Sequence, residues 1–258
     1  MEPEERRRAY LRAMDIVVWT PRGSSASATE PEAARPLSTD TAAPPPGVLD
    51  FSAQDPVRSE SLVAVPKSDP IDSLDWEGVQ TCVQACTACS LHRTRTQTVF
   101  GVGDRAAEWL IIGEAPGEQE DLKGEPFVGR AGQLLNEMLR AVGLSRERVY
   151  IANVLKCRPP QNRDPLPEEA AACERFLRRQ LVLIQPRIIV AVGRIAAQNL
   201  LKTDRPIGKL RGSVHRYAEI PLVVTYHPAY LLRSPLEKRK AWDDLQLAQR
   251  ALRESKAP

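Results

Sequence analysis

Four of the five cysteines fall into two pairs whose spacing suggests metal ligation. Cys86 and Cys89 form a CxxC pair, whereas Cys157 and Cys173 have fifteen residues between them. The two pairs are too far apart in sequence to make one local knuckle, so they can share a metal centre only if the fold brings them together. Four thiolates suit either a tetrahedral zinc ion or a [4Fe-4S] cluster, and ligand number does not distinguish the two. The fifth cysteine, Cys82, is expected not to be a ligand.

Glycine-rich and polar motifs lie between and beyond the cysteines. GEAPGEQED covers residues 113–121, PFVGRAG covers 126–132 and HPAYLLR covers 227–233. Glycines in the first motif would let a ligand approach main-chain N–H groups, which can stabilise a developing oxyanion. Phe127 offers a planar ring that can stack on a nucleobase, and Asn153 presents a donor beside an acceptor, as a base edge does. Each residue taken alone also has an ordinary structural interpretation.

HPAYLLR combines groups that suit contact with nucleic acid. His227 is one of three histidines, and it is followed by an aromatic residue, two leucines and an arginine. Such a segment can wedge apolar groups into a base stack while it contacts phosphate. Lys209 and Arg211 in GKLRG, and the basic run at 238–240, could add contacts to the DNA backbone or could be solvated surface charges.

Beyond Trp76, short apolar runs alternate with amphipathic segments. The runs that predict buried strands are 109–112, 149–154, 187–192 and 222–226. Helices are predicted for a segment that carries Leu134, Leu135, Met138, Leu139 and Val142 on one face, and for residues 167–184 and 195–201. This alternation favours an α/β fold with a parallel sheet covered by helices on both sides.

The motifs follow the predicted strands in a regular way. GEAPG follows the first strand, Asn153 closes the second, Gly193 follows the third and His227 follows the fourth. In open parallel sheets, ligands bind in the crevice beyond the carboxyl ends of the strands. The sequence therefore predicts one site that collects these groups.

The length of the chain fits one large domain or one domain with an appendage. Of the 258 residues, 42% are hydrophobic, which supplies a substantial core. We expect a short N-terminal segment at 1–20, a largely disordered linker rich in Pro, Ser and Ala at 21–77, and the folded domain at 78–258. The formal charge is −6 over residues 1–77 and +9 over the remainder, which is compatible with a polyanionic partner.

Localisation is inferred from what the sequence lacks. No apolar run approaches the roughly 20 residues needed to cross a bilayer, and the first ten residues are charged where a signal peptide is apolar. We therefore expect a cytoplasmic protein with no membrane contact. In a reducing compartment, clustered cysteines are more often metal ligands than disulfides.

Taken in order, these motifs resemble those of the iron-sulfur uracil-DNA glycosylases, often called family 4. The similarity runs from about Cys86 to Leu252, and it includes CTACSLHRTRTQTVFGVGD, GEPFVGRAGQLLNEML and YIANVLKCRPPQNRDPLPEEAAAC. The resemblance implies a three-layer α/β sandwich with a four-stranded parallel sheet, to which this chain adds a disordered N-terminal arm. It also implies a [4Fe-4S] cluster with a structural or DNA-positioning role.

The resemblance assigns a role to each motif. Phe127 would stack on uracil, Asn153 would read its polar edge and His227 would contact a pyrimidine carbonyl. The better-known uracil glycosylases place an aspartate where this chain has Ala115, so no carboxylate stands at the position that would orient water. Either Glu114 or Glu120 could replace it, or the bond cleavage needs little help with its nucleophile. Glu114 and His227 are the expected catalytic residues. The remaining implied residues are Gly113, Glu114 and Ala115 in the uracil pocket, Leu231, Leu232 and Arg233 for DNA intercalation, and Cys86, Cys89, Cys157 and Cys173 for the cluster.

The expected function is base excision repair by a hydrolase that flips out deoxyuridine, cleaves its N-glycosidic bond and leaves an abasic site. Two alternatives stay open: an iron-sulfur protein that traps uracil DNA covalently, and a non-catalytic accessory protein. The trapping variant resembles proteins with a reactive histidine in a basic loop, and residues 156–173 contain no histidine. We expect a monomer whose partner is uracil-containing DNA, with a repair or replication protein as a candidate partner of the N-terminal arm.

Overall fold

The structure is a computed structural model that describes residues 69–255. The expected segment 1–20 and residues 21–68 of the expected linker lie outside the described residues. The expected domain start at residue 78 is too late, because Ile71 and Trp76 are buried in the core. The Trp76 ring meets the rings of Phe100 and Tyr150 edge to face, at centroid distances of 5.4 and 5.3 Å. The folded domain therefore includes residues 70–77, which were expected to belong to the linker.

One mixed sheet of six strands forms the centre of the described region. The strands are β1 Val102–Gly103, β2 Trp109–Gly113, β3 Tyr150–Asn153, β4 Ile188–Val192, β5 Val214–Tyr217 and β6 Ile220–Thr225. They lie in the order β1-β3-β2-β4-β6-β5, in which the four central strands are parallel and each edge strand is antiparallel to its neighbour. The predicted four parallel strands are confirmed, and two antiparallel edge strands are added to them.

Helices cover both faces of the sheet, as the strand and helix alternation predicts. The α-helices are α1 Trp76–Gln84, α2 Glu118–Lys123, α3 Arg130–Ala141, α4 Pro167–Ile184, α5 Arg194–Leu201, α6 Ile207–Leu210, α7 Pro228–Arg233 and α8 Lys238–Glu254. Short 3-10 helices lie at Pro70–Ser73, Ser90–Arg93, Arg146–Arg148, Pro160–Asn162 and Pro235–Glu237. The bounds of α4 agree with the predicted segment 167–184.

The core has two halves, one on each face of the sheet, because successive residues of a buried strand point to opposite faces. Leu110 and Ile112 of β2 join the half that contains side chains of α1, α4 and α5. Trp109 and Ile111 join the half that contains side chains of α3, α7 and α8. The three-layer sandwich is thus confirmed. Among residues 69–255, no helix is both long and apolar enough to span a membrane.

Candidate active site and metal centre

A cleft of about 820 Å³ opens where the central parallel strands end. Its walls include Glu114 and Ala115 after β2, Phe127 from the following loop, and His227 after β6. The chain segments that carry them come from different strands, yet parallel alignment places their carboxyl ends at one edge of the sheet. Gly113 and Asn153 do not line the open part of the cleft, but Gly113 lies between Asn153 and the cleft residue Phe127.

Gly113 is the point at which two of the predicted pocket residues meet. It lies opposite Asn153 in the β2–β3 register. A Cβ atom at Gly113 would lie 2.5 Å from Asn153 Oδ1 and 2.7 Å from the Phe127 ring. Only a glycine therefore fits between the amide and the aromatic ring.

Asn153 has a buried acceptor without a protein partner. The residue is 2% exposed, and its Oδ1 makes no hydrogen bond within the described residues. A buried polar atom that lacks a partner costs free energy, so a position of this kind is expected to be satisfied by a ligand or to serve function. The amide lies next to Gly113 at the cleft end of β3, where a ligand in the cleft could reach it.

His227 is held as a neutral hydrogen-bond donor. Its Nδ1 accepts from the backbone N–H of Ala229 at 3.2 Å, where it caps the start of α7. With Nδ1 as the acceptor, the proton of a neutral imidazole is on Nε2. Burial, assisted by the positive charge of Arg233, lowers the pKa of His227 to about 4, against the opposing effect of Glu120. The ring therefore stays neutral at physiological pH and can donate from Nε2.

Glu114 lies in an electrostatic environment that favours its neutral form. Burial and, secondarily, the negative charge of Asp164 raise the pKa of Glu114 to about 7, while Arg194 opposes the shift. Asp164 and Arg194 form an ion pair at 2.6 Å, and all three residues line the cleft. A carboxyl group with a pKa near the working pH can exchange a proton with bound water. Asp164 and Arg194 were not predicted as site residues, because they come close to Glu114 only when the chain folds.

Two of the other acidic residues of GEAPGEQED, Glu120 and Asp121, hold loops in place. Glu120 accepts from the backbone N–H groups of Gly117, Val128 and Gly129 at 3.2, 2.9 and 3.2 Å. It thereby joins the GEAPG loop to the PFVG loop. Asp121 is buried and accepts from the backbone N–H of Thr96 at 3.0 Å. The acid density of this motif is thus explained mainly by loop architecture.

The predicted intercalating segment is only partly available to DNA. Leu231 is fully buried against the sheet, so the prediction that it fills the gap in a base stack is wrong. Consecutive residues of a helix point about 100° apart, so α7 cannot expose both of its leucines in one direction. Leu232 is 38% exposed and Arg233 lines the cleft, so both stay predictions. Leu236, in the next 3-10 helix, is 93% exposed.

Arg211 is not a free surface cation. Its Nε donates to Asp244 at 2.7 Å, its guanidinium lies 4.3 Å from the centre of the Tyr226 ring, and its side chain is 11% exposed. The suggestion that Arg211 contacts the DNA backbone is therefore wrong, because the group already has a buried partner. Lys209 is exposed and stays a candidate for such a contact.

Four cysteines line one cavity, as the sequence predicts. Cys86 and Cys89 come from the segment after α1, Cys157 from the loop after β3, and Cys173 from α4. Cys82 does not line this cavity. Within residues 69–255, no set of three or more His, Cys, Asp or Glu side chains converges closely enough to hold a single metal ion.

Two donors point at the sulfur atoms. Arg95 Nη1 lies 3.1 Å from Cys157 Sγ, and the backbone N–H of Lys156 lies 3.3 Å from Cys173 Sγ. Burial raises the pKa of the Cys173 thiol to about 12, which Lys156 opposes. Such donors stabilise a thiolate, the form that binds metals. The donor set therefore fits a thiolate-ligated metal group.

A buried lysine connects the cysteine cavity with the cleft. The Lys156 side chain is 1% exposed, and its Nζ donates to the Asn153 carbonyl at 3.0 Å and to Gln180 Oε1 at 2.7 Å. Gln180 in turn donates to Phe100 O and Tyr150 Oη at 3.0 and 3.3 Å. These hydrogen bonds connect the end of β3 to α4 and to the interior of the domain. In the sequence, the only signal for this role is a lysine directly before a cysteine.

Replacing Leu231 by alanine should lower the free energy of unfolding by about 2–5 kcal/mol, because it leaves a cavity in the core. Leu232→Ala is the matched control on the same helix, and its effect should stay within about 0.5 kcal/mol. Chemical denaturation of both variants measures the difference. Equal stability of the two variants would contradict the buried position of Leu231.

Comparison with known proteins agrees with this geometry. A family model described as the uracil DNA glycosylase superfamily matches residues 100–246. The chain is 50% identical to a Type-4 uracil-DNA glycosylase of Archaeoglobus fulgidus, over 59% of this chain and 81% of the relative. It is 48% identical to the Thermotoga maritima Type-4 enzyme (61% and 83%) and 42% identical to that of Saccharolobus solfataricus (70% and 88%). The chain therefore belongs to the uracil DNA glycosylase superfamily and, within it, to the type-4 uracil-DNA glycosylases.

Proposed function

We propose that this protein removes uracil from DNA by hydrolysing the N-glycosidic bond of a flipped-out deoxyuridine. The observation that carries the proposal is that two groups suited to a pyrimidine lie at the same end of the sheet: a buried Asn153 amide oxygen without a protein partner, and a neutral imidazole donor on His227, which lines the cleft. Flipping a base costs a few kcal/mol, least for a mispaired one, and a base-sized pocket with hydrogen-bonding groups compensates for it.

Base recognition would use the two residues that meet at Gly113. Uracil presents an N–H between two carbonyl groups, so the Asn153 amide can accept from its N3–H and donate to O4. The Phe127 ring would stack on the base, a contact worth about 1–3 kcal/mol. In the described structure the Phe127 and His227 rings lie 5.6 Å apart at 30°. A base that binds in the cleft next to Phe127 would therefore also lie close to the His227 ring.

Bond cleavage would place negative charge on the uracil and positive charge on the sugar. The electron pair of the C1′–N1 bond goes to uracil, and the His227 Nε2–H would donate to the carbonyl oxygen on which the charge develops. Main-chain N–H groups near Glu114 and Ala115 would add to this stabilisation. A preorganised neutral donor in a desolvated site is worth several kcal/mol to such a transition state.

Water would complete the reaction at the sugar. Its oxygen bonds to C1′ and its proton leaves, while the uracil anion takes a proton from solvent, which leaves an abasic site and free uracil. Ala115 offers no carboxylate, and Glu120 is already bound to three backbone N–H groups. We therefore assign the positioning of water to Glu114, which lines the cleft.

Contact with the DNA around the flipped nucleotide would involve the exposed end of α7. Arg233 lines the cleft and could neutralise phosphate, and the neighbouring exposed Leu232 could fill the vacated stack. The body of the chain beyond residue 77 carries a net charge of +9, which favours a polyanion. A monomer, a cytoplasmic location and a protein partner for the N-terminal arm remain part of the proposal.

We further propose that the four cysteines hold a [4Fe-4S] cluster. Four cysteines from three chain segments line one cavity, and four thiolates are the usual ligand set of a [4Fe-4S] cluster. Hydrogen bonds from Arg95 and from the Lys156 backbone to two of the sulfur atoms are of the kind that stabilises cluster thiolates. When bound, the cluster would cross-link three chain segments, with no redox step in the reaction.

The direct test is incubation of the purified protein with matched oligonucleotides that contain uracil or thymine, followed by alkali to cleave abasic sites. We expect strand cleavage and stoichiometric free uracil for the uracil substrate alone. A denaturing gel on the same samples should show no protein–DNA adduct. A stable adduct would indicate the covalent trap instead, and binding without release would indicate a non-catalytic protein.

Replacing Glu114 by glutamine should lower the single-turnover excision rate on the order of 10²-fold if its carboxylate positions water. Because the pKa of Glu114 is raised to about 7, the wild-type rate should rise with pH through that value as the group ionises. The Glu114→Gln profile should lack this rise. Full activity of the variant, or an unchanged pH profile, would refute the assignment.

Replacing Cys157 by serine should abolish iron and sulfide binding, because three thiolates no longer close the cluster. Cys82→Ser is the control, and it should retain about four iron and four sulfide ions per chain with the brown colour of a [4Fe-4S] group. Iron, sulfide and zinc are measured on protein purified without oxygen. One zinc ion per chain and no sulfide would identify a mononuclear site.

A further inference from the structure

Phe127 has an unusual backbone conformation for a bulky residue. Its φ is +54°, in the left-handed region that side chains other than glycine rarely adopt. Holding such a residue there costs about 1–3 kcal/mol, and the conformation persists only when the surroundings enforce it. The position of the Phe127 ring in the cleft therefore depends on the contacts that hold the backbone of its loop.

Arg146 holds the carbonyl groups of this loop. Its Nη1 donates to the Phe127 carbonyl at 3.2 Å, and its Nη2 donates to the Pro126 carbonyl. The residue begins the 3-10 helix Arg146–Arg148, nineteen residues beyond Phe127, and it does not line the cleft. A planar guanidinium can reach two consecutive carbonyl groups at once, which a lysine ammonium does less well.

The other side of the loop is fixed by Glu120 and by Gly132. Glu120 accepts from the two N–H groups that follow Phe127, those of Val128 and Gly129. A Cβ atom at Gly132 would lie 1.8 Å from the Phe127 carbonyl oxygen, so α3 can approach this carbonyl only through a glycine. Carbonyl and N–H groups on both sides of Phe127 thus have fixed partners, which hold the backbone from which the ring projects.

We propose that Arg146 is a positioning residue for uracil excision, which holds the backbone of Phe127 so that the ring can stack on the flipped-out pyrimidine. The inference rests on the proposed function. Arg146 does not line the cleft, and it binds the carbonyl groups of Phe127 and Pro126, so its effect on the base would act through the loop that carries the Phe127 ring. Its loss should therefore weaken binding of the base itself.

The test is a double-mutant cycle of Arg146→Met and Phe127→Ala. We expect the Arg146→Met variant to lose about 10–100-fold in single-turnover excision and about tenfold in affinity for free uracil as an inhibitor. In the Phe127→Ala background the same substitution should change neither quantity, because coupled residues are non-additive. Arg146→Lys should recover part of the loss, and Arg148→Met, an exposed arginine on the same 3-10 helix, should behave like wild type.

Several results would overturn the inference. Additive effects of Arg146→Met and Phe127→Ala would show that Arg146 acts elsewhere, and so would unchanged inhibition by free uracil. A rate loss that follows the fraction of unfolded protein, measured by thermal melting at the assay temperature, would reduce the role to stability. Absence of excision by the wild-type protein would refute the proposed function instead, which separates the two failures.

Discussion

Parallel hydrogen bonding among β3, β2, β4 and β6 is the constraint on which the candidate site depends. Parallel strands end on the same side of the sheet, so segments far apart in sequence deliver their polar groups to one edge. The β2–β3 register then sets the detail, because it places Gly113 opposite Asn153. A shift of one residue would turn the Asn153 side chain to the opposite face of the sheet.

Beneath this edge, the interior is polar where most α/β cores are apolar. Lys156 and Gln180 are almost fully buried, and their hydrogen bonds connect the end of β3 with Phe100 and Tyr150. Buried networks of this kind are stable only when each member has its partners. The same short stretch of chain contributes both Asn153 and Cys157, so the proposed metal centre and the proposed base pocket share a common support.

Much of the arrangement could be predicted from the sequence because its signals are local. Apolar runs locate the four central strands, and the helical stripe around Leu135 locates α3. The edge strands could not be predicted in this way, since β1 has two residues and β5 alternates exposed and half-buried positions with little apolar content. The HPAYLLR motif led to the prediction that Leu231 contacts DNA. Whether Leu231 is buried depends on which side of α7 packs against the sheet, and the sequence does not show this. The partners of Arg146 and Arg211 are set by tertiary contacts alone.

The unpartnered oxygen of Asn153 has a consequence for fidelity. In the empty site this atom is desolvated without compensation, and a base that offers an N–H at the facing position relieves that penalty. Cytosine carries a lone pair at N3, so the two acceptors would oppose each other and the penalty would grow. A site that holds a hydrogen-bonding group out of water rejects analogues which lack the complementary donor by factors of about 10⁴–10⁵. If uracil binds as proposed, discrimination against the normal base would come from repulsion built into the pocket more than from attraction to the lesion.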